Sequence, residues 1–206
     1  TAKEFVVETD LSTYKAPLVF NSIPGLQNNV TQVNMWQHFE GWFIQTDQPC
    51  FEDEVASLMN FNDYRGGAFS FLYVLPFSKN EALVEYTFYS GELYPSAVYE
   101  QRIKQYLLEK NITAYTIIKK EKGKIPLQPE KKISTDAVGI IDIGSAGGLV
   151  KPSTGYAFQR MIEDCRSIAD SFHTPHMIRR RKRSRRFLFY DALLLRIIHE
   201  DPARAV

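Results

Sequence analysis

Thirteen residues, GSAGGLVKPSTGY from Gly144 to Tyr156, hold four glycines, two serines, a threonine and a proline. They lie between the apolar run VGIIDI and the helically spaced run AFQRMIEDC. Glycines let a backbone take unusual dihedrals and let a ligand approach the main chain closely. A helix start presents unpaired N–H groups and a partial positive charge. The chemistry that fits is contact with an anionic or carbonyl-rich ligand, such as a phosphate or the edge of a flavin ring. The plain alternative is a tight strand-to-helix turn with no ligand. The segment is neither a G-x-G-x-x-G fingerprint nor a P-loop, because Pro152 follows Lys151.

A second chemical candidate is Glu85 in ALVEYTFYS. A strand puts Leu83, Glu85, Thr87 and Tyr89 on one face. A carboxyl held among apolar and aromatic groups has its pKa raised by desolvation and can act as an acid near neutrality. From the residues alone, a solvent-facing strand glutamate is the favoured reading. His173 and His176 give only two ligands, and Cys165 completes no metal spacing, so no metal site is expected.

The elements that must carry these residues change along the chain. Residues 1–92 are dense in Phe, Tyr, Trp and Val, with turn residues between the runs. Strands are expected at Phe5 to Glu8, Leu18 to Ser22, Val30 to Thr46, Phe69 to Phe77 and Ala82 to Tyr89. Phe51 to Met59 reads as a short helix or a loop. Residues 95–109 read as a helix with Pro95 in its first turn and Tyr99, Ile103, Tyr106 and Leu107 on one face. A strand follows at Ala114 to Lys120, and the polar stretch EKGKIPLQPEKK reads as a connection. Ala137 to Ile143 reads as a buried strand. Phe158, Met161, Ile162, Cys165, Ile168, Ala169 and Phe172 keep helical spacing, and FLFYDALLLRIIHE reads as a last helix.

Composition is that of a globular chain, with 206 residues, 44% hydrophobic and 24% charged. The net charge is +1, yet residues 179–186, RRRKRSRR, carry seven positive charges, so the rest is net −6. One basic cluster on a near-neutral chain argues against nucleic acid as a partner. Beside an apolar helix it suits an anionic membrane surface, and peripheral contact through 179–198 is expected. Two cysteines supply no disulfide framework, and a reducing, cytoplasmic setting is the default. No apolar run approaches the ~20 residues of a membrane span.

VGIIDIGSAGGLVKPSTGYAFQRM resembles the second flavin-contacting motif of the lycopene cyclase family. Aromatic-hydroxylase-like flavoproteins carry Gly-Asp-Ala at the place where Gly144-Ser145-Ala146 stands. FNSI, QHFEGWFIQTDQPCFEDEVASLMNF and FLYVLPFSKNEALVEYTFYS resemble the substrate domain of the family, and FYDALLLRII its later helix. Asn60 departs from the Asp that the family often has after Met.

The resemblance implies an α+β or mixed α/β fold: a mainly β substrate domain over 1–130, the returning strand-turn-helix of a Rossmann-like FAD domain over 131–175, and a basic segment with an amphipathic helix over 176–206. It implies an internal piece of a cyclase, inactive alone and weak in holding FAD, since neither the opening Rossmann fingerprint nor the last segment of the family is present. The implied reaction is proton-initiated closure of the linear ends of lycopene to β-ionone rings. Reduced FAD is the implied cofactor, without net redox change and with NAD(P)H as reductant. Glu85 is then the acid, matching the acidic motif described in plant members as FLEET, of which LVEYT keeps one acid and replaces the other by Tyr86. Gly144, Ser145, Ala146, Gly147, Gly148, Pro152, Thr154, Gly155 and Tyr156 would contact the flavin, with N–H groups near Thr154 to Tyr156 facing its pyrimidine edge and Lys151 only capping solvent. Trp36, Phe39, Trp42, Phe43, Phe69, Phe71, Tyr73 and Phe77 are sheet core or lining for the polyene. The alternatives are a flavin-dependent reductase or monooxygenase acting on an isoprenoid lipid, and a non-catalytic membrane-binding module.

Overall fold

A computed structural model of the chain describes residues 4–23, 35–61, 67–127, 139–172 and 184–205. The fold is mixed α/β and divides into two compact units, each discontinuous in sequence. One comprises 1–32 and 128–192, the other 33–127 and 193–206.

The larger unit is a five-stranded antiparallel sheet. Its strands are β4 (Met35–Thr46), β5 (Ser57–Asn60), β6 (Phe69–Ser78), β7 (Glu81–Ser90) and β8 (Tyr115–Leu127), in the order β5-β6-β7-β4-β8. Helix α1 (Ser96–Glu109) covers one face. Period-2 alternation sends Trp42, Ile44, Leu72, Val74, Val84, Tyr86 and Phe88 to that face, where Tyr99, Ile103 and Leu107 of α1 meet them. Pro95 stands just before the helix in an extended conformation, as its fixed φ favours. On the opposite face Met35, Phe69, Phe71, Tyr89 and Leu127 pack with Leu195 and Ile198.

One expectation fails here, and another is met in part. The polar stretch after Lys120 does not leave the sheet: Glu121 to Leu127 prolongs β8 along β4. β8 is an edge strand, where charged residues and Pro126 are tolerated because one side of the ladder meets no further strand of the described sheet. Gly123 within it is covered by the Phe39 ring, whose Cζ would lie 2.5 Å from an added Cβ. Of the two readings of Phe51 to Met59, helix or loop, the loop holds as far as Ala56, and from Ser57 the chain enters β5, which pairs with β6.

In the other unit β1 (Phe5–Glu8) and β2 (Thr13–Ala16) form an antiparallel hairpin, and β3 (Val19–Asn21) pairs in parallel with β9 (Ile140–Asp142). Helix α2 (Phe158–Ser171) follows the glycine segment, and helix α3 (Arg185–Glu200) begins in this unit and ends in the other. Gly139, at φ +109°, lets β9 start against the Phe5 ring, which an added Cβ would overlap. The pairing of β3 with β9 groups residues 1–32 with the later segment, where a linear reading divides the chain at 130 and 175. Val30–Asn34, Ala137, Val138 and His173 to Arg183, which hold part of an expected strand, both of the paired histidines and most of the basic run, lie outside the described residues.

Candidate functional site

β7 positions Glu85 at the middle of the sheet, on the face opposite α1. Register places Tyr73 of β6 on one side of it, then Gly41 of β4 and Glu121 of β8 on the other, all on one face. Glu85 is 9% exposed. Burial pushes its carboxyl up to about 7, against the opposing hydrogen bond from Thr87 and with a smaller contribution from Glu121. Thr87 Oγ1 donates that bond to Glu85 Oε1 at 3.2 Å. The Tyr73 hydroxyl is raised as well, by burial first and by Glu85 second. A carboxyl with a pKa near neutrality, beside a protonated phenol, can give a proton at physiological pH.

The face sorts the aromatic residues. Trp42 is helix-side core, and Phe69 and Phe71 are buried on the Glu85 side. Phe39, Phe43 and Tyr73 are half-buried beside Glu85, Trp36 is half-buried on the helix side, and Phe77 is exposed. Phe43 and Phe77 stack at 5.9 Å. The acid thus has aromatic walls, the surroundings a carbocation tolerates. Tyr86 points to the helix side and is 1% exposed, so it does not stand beside Glu85.

Sequence reasoning passed over a polar cluster on the helix side. Ser90 Oγ donates to the Glu92 carbonyl, so His38 Nε2 donates to Ser90 Oγ at 2.7 Å and His38 Nδ1 accepts from the Tyr99 hydroxyl. Burial lowers His38 to about 4, which keeps it neutral. Ser96 Oγ, at the start of α1, donates to Glu40 Oε1 at 2.5 Å. A carboxylate at a helix start complements the dipole there and accounts for this buried acid. A cavity of about 520 Å³ opens beside them, edged by Tyr94, Lys122 and Lys124.

The glycine segment belongs to the other unit. Gly144, Gly148 and Gly155 have φ of +57°, +68° and +67°, which explains the glycines. Ala146, Gly147, Pro152 and Ser153 are buried, Ser145 and Thr154 half-buried, and Tyr156 exposed. The N–H groups are largely spent inside the turn: Gly147 on Ile143 O, Gly148 on Ser145 O, Leu149 on Gly144 O, and both Thr154 and Gly155 on Lys151 O. Tyr156 N–H reaches Thr154 Oγ1 at 3.4 Å. The expectation that the 154–156 N–H groups face a ligand therefore fails, because the turn consumes them.

Lys151 does not merely cap solvent. Its Nζ lies 2.9 Å from Asp191 Oδ1 on α3 and also bonds Ser153 Oγ. Ser153 Oγ donates to Asp191 Oδ1 at 2.5 Å, Arg160 Nη2 of α2 lies 3.5 Å from Asp191 Oδ2, and Arg160 Nη1 donates to the Val150 carbonyl. Asp191, 3% exposed, is the shared anchor. The only hint in sequence is a lone acid within an otherwise apolar helical run. Next to it α3 exposes Phe187, Phe189, Tyr190 and Leu193 beside Arg185 and Arg186. Among the described residues no helix is long and apolar enough to cross a membrane, and no group of three metal-ligating side chains occurs.

The structure is similar to that of a geranylgeranyl bacteriochlorophyll reductase-like protein from Thermoplasma acidophilum, with a TM-score of 0.59 at 12% identity, over 95% of this chain and 53% of that one. It is also similar to tetracycline destructase Tet(51), at a TM-score of 0.46 and 10% identity, over 95% of this chain and 55% of that one. The chain thus spans about half the length of these structures. No curated protein matches it. The family profile described as lycopene cyclase protein matches residues 1–205, and the chain belongs to that family.

Proposed function

We propose that this chain carries the acid of a lycopene cyclase. Glu85 gives a proton to the terminal double bond of the linear carotenoid, the cation closes a six-membered ring, and a proton leaves to give an isomer with a β-ionone end. The observation that carries this reading is the buried Glu85 carboxyl, raised to about 7 within an aromatic sheet face. Thr87 orients the carboxyl, and the surrounding apolar groups keep out the water that would trap the cation.

For FAD, the shape of the glycine segment fits better than its hydrogen bonding. Gly144, Ser145 and Gly148 are half-buried and present main chain and one small side chain, and a Cβ at Gly144 would meet only Met161 Cε, at 3.5 Å. These three would hold the ring by surface contact, with the buried Ala146, Gly147 and Pro152 setting the shape of the segment beneath them and Thr154, Gly155 and Tyr156 shaping the turn rather than donating to the ring. Bound in its reduced form, with NAD(P)H as reductant, the flavin would supply an electron-rich surface that steadies a cation. The exposed Phe187, Phe189 and Leu193 beside Arg185 and Arg186 support peripheral contact with an anionic membrane on the cytoplasmic side, where a lipid-soluble substrate is collected.

The test is expression of the intact protein in lycopene-producing bacteria. Formation of β-carotene, equal in mass to lycopene, is the expected result. A second reading, reduction of an isoprenoid lipid, draws on the likeness to the reductase-like protein of Thermoplasma acidophilum. It predicts a product two hydrogens heavier per double bond reduced, and that outcome with no ring closure would replace the cyclase reading.

A further inference from the structure

The cavity of about 520 Å³ lies on the α1 side of the larger unit, away from Glu85, which stands on the opposite face of the sheet. We propose that this cavity binds a nucleoside phosphate. The proposal is independent of the cyclase reading.

The floor follows from register. His38 and Glu40 of β4 stand opposite Lys124 and Lys122 of β8, on the α1 face of one strand pair. Between them lie Phe39 and Gly123, whose side-chain positions meet on the other face, where the Phe39 ring covers Gly123. They therefore floor the cavity with main chain, and nothing projects between the charged groups from below. The facing wall is the segment from Leu93 to Ser96 that leads into α1.

Charges of both signs line this space without joining. Glu40 is 9% exposed and has one oxygen on Ser96 Oγ. Among the described residues no ion pair ties it to Lys122 or Lys124. Both lysines are exposed on the edge strand, and Lys124 Nζ rests 5.3 Å from the centre of the Trp36 ring. His38 is spent on Tyr99 and Ser90 and leaves no ring nitrogen for a ligand. Tyr94 is half-buried and packs edge-on against His38 at 5.4 Å and Phe88 at 4.9 Å, which fixes its ring at the mouth.

These features select the ligand. The volume falls within the range of about 300–1,000 Å³ of small-molecule sites and is far more than an inorganic anion fills. Two lysine ammonium groups attract phosphate oxygens. Glu40 repels phosphate but accepts from hydroxyl groups, the part a carboxylate plays toward ribose in dinucleotide sites. Tyr94 offers a fixed aromatic wall to a base. A prenyl diphosphate brings the anion but no donor for Glu40, whereas a nucleoside phosphate brings anion, hydroxyl and ring together. That chemistry is shared by a free nucleotide and by the adenosine half of a pyridine dinucleotide.

The experiment is calorimetric titration of the intact protein, carrying one equivalent of FAD, with AMP, NADP+ and inorganic phosphate. Wild type, Lys122→Ala with Lys124→Ala, and Glu40→Gln are compared. One-site binding of a nucleotide is expected. The lysine pair should weaken it by about tenfold or more, the usual worth of a hydrogen bond to a charged group, with Tm unchanged. Glu40→Gln should weaken nucleotide binding but not phosphate binding. Equal affinities for AMP and NADP+ assign a free nucleotide, and tighter NADP+ assigns the dinucleotide. Phosphate binding as tightly as AMP overturns the proposal, since the lysines would then act alone. It is also overturned if neither nucleotide binds, or if binding survives unchanged in the lysine variant. The exposed lysines decide the location even if Glu40→Gln, which alters a contact of α1, fails to fold. A folded Glu40→Gln protein that binds AMP like wild type overturns the assignment of a nucleoside.

Discussion

Ser153 donates a 2.5 Å hydrogen bond to Asp191, a residue thirty-eight positions later, and so fastens the glycine segment to helix α3. Lys151 and Arg160 converge on the same carboxylate. Removing it leaves a buried hydroxyl and two partly exposed cations without this acceptor. Asp191→Ala should cost about 1–3 kcal/mol, the usual loss when a buried polar group is left unpaired. Chemical denaturation checks this. In the flavin-loaded protein the same change should weaken flavin retention more than Ser153→Ala does. Equal retention in both would show that the anchor does not set the segment's shape.

Glu85→Gln should abolish ring closure, by about 100-fold or more in rate, while leaving flavin content intact. The amide keeps the size and the bond from Thr87 but has no acidic proton. Retained cyclisation in that variant would remove Glu85 from the mechanism. The wild-type rate should also fall on the alkaline side of about pH 7, where Glu85 ionises.

Two buried groups should oppose each other in the pH dependence of stability. Folding raises Glu85 from 4.5 to about 7, so the folded state keeps a proton that the unfolded chain releases, and stability drops as pH rises through that window. Folding lowers His38 from 6.5 to about 4, so stability drops as pH falls through its window. Each contribution is roughly 3 kcal/mol at full extent. Between 4.5 and 6.5 they cancel, and wild-type Tm should be nearly flat. Glu85→Gln should expose the His38 slope, with Tm climbing from pH 4.5 to 6.5. Parallel Tm curves for the two proteins would refute the assignment.

Gly41→Ala places a methyl group 2.8 Å from Leu83 Cδ1 and 3.2 Å from Glu85 Cβ. Overpacking of this kind costs about 1–3 kcal/mol. Activity should fall as well, because the methyl presses directly on the Glu85 side chain. A variant that loses stability but keeps its rate would show that the placement of Glu85 does not depend on this packing.

Phe187→Ser with Phe189→Ser should reduce binding to anionic vesicles without lowering Tm, since the two rings are 62% and 63% exposed. Sedimentation with vesicles measures it. Unchanged binding would leave the basic residues, or another surface, as the contact.

The strands from Phe69 to Ser90 and helix α1 are legible from alternation and spacing, because apolar residues there face a core that the chain itself supplies. The far half of β8 is not, since an edge strand needs no apolar side and Glu121, Lys122 and Lys124 disguise it as a linker. On α2 the expected apolar stripe is largely uncovered: Phe158, Cys165 and Phe172 are exposed, and Asp164 is buried instead. Glu85 is readable as a candidate, but its burial is not, because that depends on pairing with distant strands. Asp191 shows in sequence only as a lone acid in an apolar run, and its role does not, because its three partners come from a turn and a helix that only folding brings near.

The parallel contact of Val19–Asn21 with Ile140–Asp142, locked by the Asn21 to Asp142 hydrogen bond at 2.7 Å, joins residues 121 positions apart. On the ribosome the antiparallel sheet is complete before β9 exists, apart from the short tail that α3 returns to it. At synthesis rates of roughly 5–20 residues per second, β3 then waits on the order of 6–24 seconds for its partner strand. Nascent chains halted before Gly139 would leave β3 without the β9 side of its ladder, so this pairing is timed by translation order as well as by contact energy.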